Sequence, residues 1–219
     1  NMCGRYENAA DDEELRKEFE KHVGELDISY NIDEILKSEN IAPTNRVKVI
    51  TFDKENNVFR LQVLKWGIKS KVFDPSRQAK GKDPFIEKDI FNSKIETIAK
   101  KGSKWKKYFN ENRCIFPMTA FYEWTGEKGS KVPQRISLNK APVFFAGGII
   151  SEGIDKAESA SIITCEPNSF MQQIHTRMPV LFKTEDAGKF LEAKEDAAIG
   201  MSCPLDEKVK MKIEKAKLG

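Results

Sequence analysis

A series of short apolar segments, separated by polar turns, restricts this chain to a fold built from many short strands. Residues 47–52 and 59–66 flank a polar run and are predicted to pair as a hairpin. Further strands are predicted at residues 113–117, 120–125, 134–138, 143–149, 160–165 and 180–182. Such a pattern favours an α+β fold over repeated βαβ units. We expect one β-rich domain over residues 1–219, a barrel-like or two-layer mixed sheet with peripheral helices.

Helices are predicted at the edges of this arrangement. Residues 11–14 are acidic and carry an Asp-x-x-Glu capping pattern, which marks the start of an amphipathic helix. Further helices are expected at residues 31–37, 98–110, 184–193 and 205–217. The last of these rests on Leu205, Val209 and Ile213, which recur at helical spacing.

The segment 98–110 combines five lysines with Trp105 and Tyr108. Basic side chains beside aromatic rings can bind phosphates and stack on bases. Helical spacing also places Ile98, Trp105 and Phe109 on one apolar stripe. We favour the second interpretation, in which this stripe packs on the core and the lysines are solvated.

Composition excludes several classes of protein. The 37 Lys and Arg residues against 34 Asp and Glu leave a net charge of +3, too little to indicate nucleic-acid binding by itself. Apolar stretches fall short of the ~20 residues that span a bilayer, so we expect a cytoplasmic protein. The four cysteines are far apart and only two histidines accompany them, so neither a metal site nor a disulfide framework is predicted. No Gly-rich phosphate loop follows a strand, which disfavours a nucleotide-hydrolysing enzyme. No cofactor is expected.

Cys3 would become the N-terminal residue after removal of Met2. An N-terminal cysteine offers a thiol with a pKa near ~8.5 and an α-amine near ~7.7 to 8.0, so an aldehyde can form an imine and then a thiazolidine ring. Because translation starts at methionine, Asn1 is expected to be extraneous to the native protein. In the chain as it stands the α-nitrogen of Cys3 is an amide, which cannot condense with an aldehyde.

Three further places carry candidate chemistry. His175, one of two histidines, is the natural acid and base near neutral pH, unless it is a hydrogen-bonded structural histidine. Glu123 lies among aromatic residues on a predicted strand, where partial desolvation suits a carboxyl group to proton exchange; the alternative is an outward-facing strand residue. Asn92, Lys94 and Glu96 would share one face of an extended segment, or belong to a solvated turn that leads into a helix.

Six separate motifs support one resemblance when they are taken together. They are Cys-Gly-Arg-Tyr at 3–6, Asn-Ile-Ala-Pro-Thr at 40–44, Trp-Gly at 66–67, the polar run 92–97, the segment 113–124, and His-Thr-Arg-Met-Pro at 175–179. In this order they resemble the SRAP family, the SOS response-associated peptidases or abasic-site processing proteins. The resemblance implies binding of single-stranded DNA and covalent trapping of abasic sites, whose ring-opened form is an aldehyde.

The resemblance also implies roles for individual residues. Cys3 would supply both nucleophiles, and Glu123 would handle protons during ring opening and imine formation. His175 would assist proton transfer at the sugar oxygen, while Asn92 would orient the cysteine amine or the linked sugar. The product would be a covalent crosslink that shields the lesion from strand cleavage.

The remaining implied roles concern the DNA strand. The cations Arg5, Lys94 and Arg177 would contact phosphates. The region of Trp66 would form an apolar wall against a base. Lys94 stands where the family usually has arginine, which replaces a bidentate fork by a point charge. Thr176 stands where many bacterial members carry an acid. The expected partner is single-stranded DNA that contains an abasic site, bound by a monomer.

Two other functions remain open at this stage. A cysteine-dependent autopeptidase or amidohydrolase would use the sulfur of Cys3 alone, with His175 as its base. A non-catalytic single-stranded DNA-binding module would retain its affinity for DNA without Cys3 and would form no crosslink.

Overall fold

The computed structural model describes residues 4–28, 39–127 and 129–218. Its strands are β1 (Tyr6–Glu7), β2 (Leu26–Ile28), β3 (Arg46–Asp53), β4 (Val58–Trp66), β5 (Ile68–Phe73), β6 (Phe85–Ile90), β7 (Asn92–Lys94), β8 (Arg113–Met118), β9 (Ala120–Thr125), β10 (Val132–Leu138), β11 (Phe144–Glu152), β12 (Glu158–Cys165), β13 (Met178–Pro179), β14 (Leu181–Phe182) and β15 (Met211–Lys215). Its helices are α1 (Asp12–His22), α2 (Pro75–Gln78), α3 (Ile95–Ala99), α4 (Lys104–Glu111), α5 (Ser169–Gln172), α6 (Thr184–Glu192) and α7 (Glu195–Met201).

The largest sheet closes on itself. Its strands follow the order β13-β12-β11-β8-β3-β4-β2, and β12 also pairs in parallel with β4. That pairing sets Ala160 beside Trp66 and joins β12, β11, β8, β3 and β4 into a ring. The fold is therefore α+β and β-rich, and the closed ring confirms the barrel-like expectation.

Two smaller sheets flank the ring. One has the order β1-β9-β10-β15, and the other is the antiparallel hairpin of β5 and β6. We call residues 68–90, which include this hairpin and α2, the β5–β6 arm. Within the described ranges, no helix is long and apolar enough to cross a membrane, and no three His, Cys, Asp or Glu side chains are grouped as metal ligands.

Aromatic side chains fill much of the core. The largest fully buried ones include Trp66, Phe19, Phe109, Phe116, Phe121, Phe144, Phe145 and Phe190. Gly147 and Gly148 on β11 leave room for these rings, because a Cβ atom on Gly148 would overlap the ring of Phe116 and lie 2.9 Å from Sγ of Cys114. Close packing of this kind fixes how β11 sits on β8.

Most of the predicted elements are confirmed. The hairpin of β3 and β4 covers residues 47–52 and 59–66, and α1 begins with a capping box between Asp11 and Glu14. The other predicted strands overlap β8 to β12 and β14, and the helix expected at 184–193 corresponds to α6. The helix expected at 31–37 lies outside the described residues. The single domain over residues 1–219 stays a prediction.

Two helix predictions are wrong in part or in whole. The segment 98–110 is not one helix, because α3 ends at Ala99 and Gly102 adopts φ +78 before α4 begins. The segment 205–217 contains strand β15 instead of a helix, since β10 offers it a free edge and Ile213 lies opposite Ile136. Apolar residues at helical spacing did not outweigh this cross-strand pairing.

A buried carboxylate anchors the short N-terminal strand β1. Glu7 accepts hydrogen bonds from Thr119 (2.7 Å), from the Tyr122 hydroxyl (2.8 Å), and from Nε (3.0 Å) and Nη2 (2.6 Å) of Arg135. Burial acts to raise its pKa, but these hydrogen bonds, above all from Arg135, lower the pKa to about 2. Glu7 therefore remains ionised and ties β1 to β9 and β10.

Gly148→Ala should lower the free energy of unfolding by about 1 to 3 kcal/mol, because the added methyl group meets the immobile Phe116 ring. Gly200→Ala is the matched control. No atom lies within 4 Å of a Cβ at that helical position, so its stability should stay equal or rise by up to about 1 kcal/mol. Urea unfolding measures both variants, and equal stabilities would contradict the packing argument.

Glu7→Gln should remove an acid-sensitive part of the stability, on the order of 3 kcal/mol. The pKa of Glu7 is depressed on folding from 4.5 to about 2, so its contribution is complete above pH 4.5 and is lost as the pH falls toward 2. Urea unfolding across this pH range should show a weaker pH dependence for the variant. Glu152→Gln, which affects an exposed pair with Lys156, is the control and should change stability by less than about 1 kcal/mol. An unchanged pH dependence in Glu7→Gln would refute the role of this anchor.

Candidate functional site

Strand β7 presents two of the predicted site residues. It pairs in parallel with β12, with Asn92 opposite Ile162 and Lys94 opposite Thr164. Alternation along the strand puts the Asn92 and Lys94 side chains on the same face. The intervening Ser93 points inward, where its Oγ lies 2.9 Å from Oγ of Ser161. The extended segment ends there, because α3 begins at Ile95; Glu96 thus lies in a helix rather than on the face predicted for it.

Asn92 and Lys94 open onto a cleft of about 320 Å³, which we call the site cleft. Its lining consists of Lys88, Asp89, Ile90, Phe91, Asn92, Lys94, Thr164, His175 and Arg177. The carboxylate of Asp89 is engaged by Lys65 at 2.6 Å. Asp89 and Arg177 are each paired with a residue of opposite charge, so Lys88 and Lys94 make the cleft positive and suit it to an anionic ligand.

Arg177 is held rigidly in this cleft. Its Nη1 and Nη2 donate to Oε1 and Oε2 of Glu96 at 2.7 and 2.8 Å, and Nη2 also donates to the Thr164 carbonyl at 2.7 Å. The hydrogen bond from Arg177 lowers the pKa of Glu96. Among the described residues, the buried Nε of Arg177 has no hydrogen-bond partner. This N–H is enclosed by protein, so Arg177 can meet a ligand only through the exposed part of its side chain, which is 17 % of its area.

His175 is fixed as a neutral imidazole. Burial lowers its pKa, and the positive charge of Lys131 acts in the same direction. The backbone N–H of Arg177 donates to Nδ1 at 3.1 Å, so Nδ1 carries a lone pair and the ring proton lies on Nε2. At neutral pH His175 can therefore donate a hydrogen bond through Nε2 in the site cleft.

Glu123 lies on the neighbouring sheet and is only 2 % exposed. Strand β1 pairs with β9 so that Tyr6 faces Phe121, and the Tyr122 N–H donates to the Arg5 carbonyl at 3.0 Å. Continuing this antiparallel register places Gly4 opposite Glu123. Cys3, the residue before Gly4, lies outside the described residues.

Arg5 connects the first motif to the second. Its Nε donates to Oδ1 of Asn40 at 3.0 Å, and its Nη1 donates to the Gly4 carbonyl at 2.8 Å. The next residue, Tyr6, exchanges two backbone hydrogen bonds with Ile41. Residues 4–6 and 40–41, distant in sequence, therefore form one local structure.

The structure corrects the role predicted for Trp66. This side chain is fully buried, so it cannot stand as an exposed wall against a base. Its indole N–H donates to the Phe91 carbonyl at 2.9 Å, and its ring meets that of Tyr6 edge to face at 5.2 Å. Trp66 thus supports the site cleft from behind and links it to β1.

The backbone conformation at position 67 explains why a glycine follows Trp66. Gly67 adopts φ +128, and a Cβ atom there would lie 3.1 Å from Cβ of Asp89. Only glycine takes up this backbone conformation without strain. The β5–β6 arm can therefore return close to the end of β4.

The predicted residues separate into three groups. Asn92, Lys94, His175 and Arg177 line the site cleft. Arg5 and Glu123 belong to the adjoining β1–β9 pair, and Trp66 lies between the two. The end of the β9–β10 hairpin approaches the cleft, since Lys131 acts on the pKa of His175.

Sequence reasoning missed two supporting carboxylates. The sequence places Glu96 on a face with Asn92 and Lys94 and does not reveal that it orients Arg177. It predicts no role for Glu7. The signal for Glu7 was weak, a charged residue directly after the Cys-Gly-Arg-Tyr motif. Its partner Arg135 is 128 positions away, and no local pattern connects the two.

Comparison with known proteins gives a consistent family. Residues 2–216 match the profile of the family described as SOS response associated peptidase (SRAP). The abasic site processing protein YoqW of Bacillus subtilis is 32% identical over 205 residues, which cover 88% of this chain and 81% of that protein. The abasic site processing protein YedK of Escherichia coli is 27% identical, with 91% of this chain and 86% of that protein covered.

Solved structures share the fold. A protein from Bacteroides thetaiotaomicron superposes with a TM-score of 0.74 at 22% identity, covering 98% of this chain and 92% of its own. A protein from Bordetella bronchiseptica gives a TM-score of 0.73 at 18% identity, covering 99% of this chain and 100% of its own. With the family profile spanning almost the whole sequence, the chain belongs to the SOS response associated peptidase (SRAP) family.

Proposed function

We propose that this protein processes abasic sites in single-stranded DNA and, once Cys3 is N-terminal, captures the sugar aldehyde as a covalent thiazolidine. One observation carries the proposal. Asn92, Lys94, His175 and Arg177 line one cationic cleft, and Trp66 links this cleft to the strand pair of β1 and β9, which carries Glu123. Relatives that are named abasic site processing proteins and align over most of this chain support the same function.

The proposed reaction needs no cofactor. The α-amine of Cys3 adds to the aldehyde carbon, and the resulting carbinolamine loses water to give an imine. The sulfur then adds to the imine carbon while the thiol proton passes to nitrogen. One water molecule is released overall, and no oxidant or reductant takes part.

Glu123 is proposed as the group that moves these protons. Its carboxylate would accept a proton from the attacking amine and return it to the departing hydroxyl group. Almost complete burial shields the carboxyl group from bulk water. The register of β1 with β9, when continued, sets Gly4 opposite Glu123, and Gly4 follows Cys3 in the sequence.

The cleft residues would hold the lesion. Neutral His175 would donate its Nε2 proton in a hydrogen bond to the sugar oxygen, and Asn92 would orient the sugar or the cysteine amine. Arg177 would contact a phosphate through the exposed part of its side chain, with Lys94 and Arg5 as further phosphate contacts. Contacts of this type position a strand without reading its sequence.

The chemistry predicts that only protein beginning at Cys3 forms the crosslink. That form should give a heat-stable adduct with an abasic oligonucleotide on a denaturing gel, whereas protein that retains Asn1 and Met2 should give none. Glu123→Gln in the Cys3-first form should slow the reaction by about 10² to 10⁴-fold.

Cys3→Ser in the same background separates the alternatives. It should bind DNA and form no thiazolidine. Equal adduct yields with and without the two leading residues would overturn the proposed mechanism. Release of those residues that depends on Cys3, in the absence of any DNA adduct, would favour the autopeptidase instead.

Arg177→Gln should weaken binding of single-stranded DNA and lower the slope of log affinity against log salt concentration by about 0.7, since one phosphate contact is lost. Fluorescence anisotropy of an undamaged oligonucleotide measures this effect without the crosslinking step. Lys17→Gln, at an exposed position of α1, is the control and should leave the slope unchanged. Equal slopes in both variants would contradict a phosphate contact at Arg177.

A further inference from the structure

Strand β15 forms an open edge of the smaller sheet. Within the described ranges, that sheet has the order β1-β9-β10-β15, so β15 pairs with a strand on one side only. Residues 212–215 are exposed, and Ile213 is 41 % exposed although it lies opposite the buried Ile136. An edge of this kind offers unpaired backbone N–H and C=O groups to another strand.

The pairing with β10 decides which backbone groups of β15 face outward. The Asn139 N–H donates to the Lys210 carbonyl at 2.8 Å, and the Ala216 N–H donates to the Pro133 carbonyl at 2.9 Å. Hydrogen-bonded positions recur at every second residue of an antiparallel strand, so the even-numbered residues of β15 bond to β10. The odd-numbered residues turn their N–H and C=O groups toward the open edge: Met211, Ile213 and Lys215.

Opposite charges lie two positions apart on β15. The Nζ of Lys212 is 2.8 Å from Oε1 of Glu214, and Nη1 of Arg135 is 3.6 Å from Oε2 of the same carboxylate. If two β15 strands pair antiparallel with Ile213 on the two-fold axis, Lys212 of each copy faces Glu214 of the other. Moving the axis to residue 212 or 214 would set two lysines or two glutamates opposite each other, which is unfavourable.

We propose that two copies of this protein pair through their antiparallel β15 strands, with Ile213 on the two-fold axis. The outward N–H and C=O groups of Ile213 bond to those of the same residue in the other copy, and Met211 bonds in the same way with Lys215 of the other copy. The two Ile213 side chains cover each other. The inference is independent of the reaction proposed for Cys3.

The charges of β15 also limit what this edge can pair with. Lysine side chains on an edge strand commonly prevent association with unrelated strands. The alternation of Lys212, Ile213 and Glu214 is attracted to a second copy of itself when Ile213 lies on the axis. A two-fold interface closes on itself and does not extend into a fibre. Because the interface is short, the monomer expected from the sequence is the form at low concentration.

The test reverses the two charges one at a time. Lys212→Glu leaves two acidic residues at the contact and Glu214→Lys leaves two lysines, so each variant alone should self-associate about tenfold more weakly than the parent. An equimolar mixture of the two variants should regain the parent's affinity, because each lysine then faces a carboxylate. Sedimentation equilibrium over a concentration series into the millimolar range measures association, and urea unfolding checks that both variants fold.

Two variants outside β15 provide matched controls. Lys17→Glu on α1 and Glu111→Lys on α4 make the same charge changes at exposed positions and should leave self-association unchanged. A parent protein that stays monomeric throughout the series would overturn the inference. So would parent-like association of either β15 variant alone, or a mixture that associates no better than its components.

Amide hydrogen exchange of the parent protein gives a second readout that needs no substitution. As the concentration rises, the N–H groups of Met211, Ile213 and Lys215 should become about tenfold better protected at the concentration where dimer exceeds monomer tenfold. The N–H groups of Lys212 and Glu214 already bond to β10 and should change little. Equal changes at odd and even positions would contradict the proposed pairing.

Discussion

The parallel pairing of β4 with β12 is the contact on which the arrangement of this molecule depends. It closes the ring of strands and places Trp66 and Gly67 beside Ala160, more than ninety positions later in the chain. The end of β4 then supports β7 through the hydrogen bond from Trp66 to Phe91. The same strand β12 brings the two halves of the site cleft together, because it pairs with β7 on one side and with β13, which follows His175 and Arg177, on the other.

The positive charge of the site depends on which cations pair with its few acidic residues. Asp89 is engaged by Lys65, Glu96 by Arg177, and Glu7 by Arg135. Each carboxylate fixes the direction of a cation or a strand, and the remaining lysines keep the site cleft positive. A net charge of only +3 therefore conceals a local concentration of positive charge.

Much of the strand pattern was predictable because alternation and turn residues are local signals. These signals predict the hairpin of β3 and β4 and the buried strands β8, β11 and β12. The helix predicted for residues 205–217 is wrong, because helical spacing of apolar residues does not reveal that the edge of β10 can pair with this segment. The base-contacting role predicted for Trp66 is wrong for a similar reason, since the local sequence does not show that this aromatic side chain is fully buried.

Residue type and order are enough to identify the family and the candidate residues, because the motifs are read directly from the sequence. The shared cleft of Asn92, Lys94, His175 and Arg177, and the position of Trp66 behind it, are visible only in the folded chain. These relations depend on strand register and on hydrogen bonds between distant positions. Such long-range contacts arise from packing of the whole chain, and no local pattern encodes them.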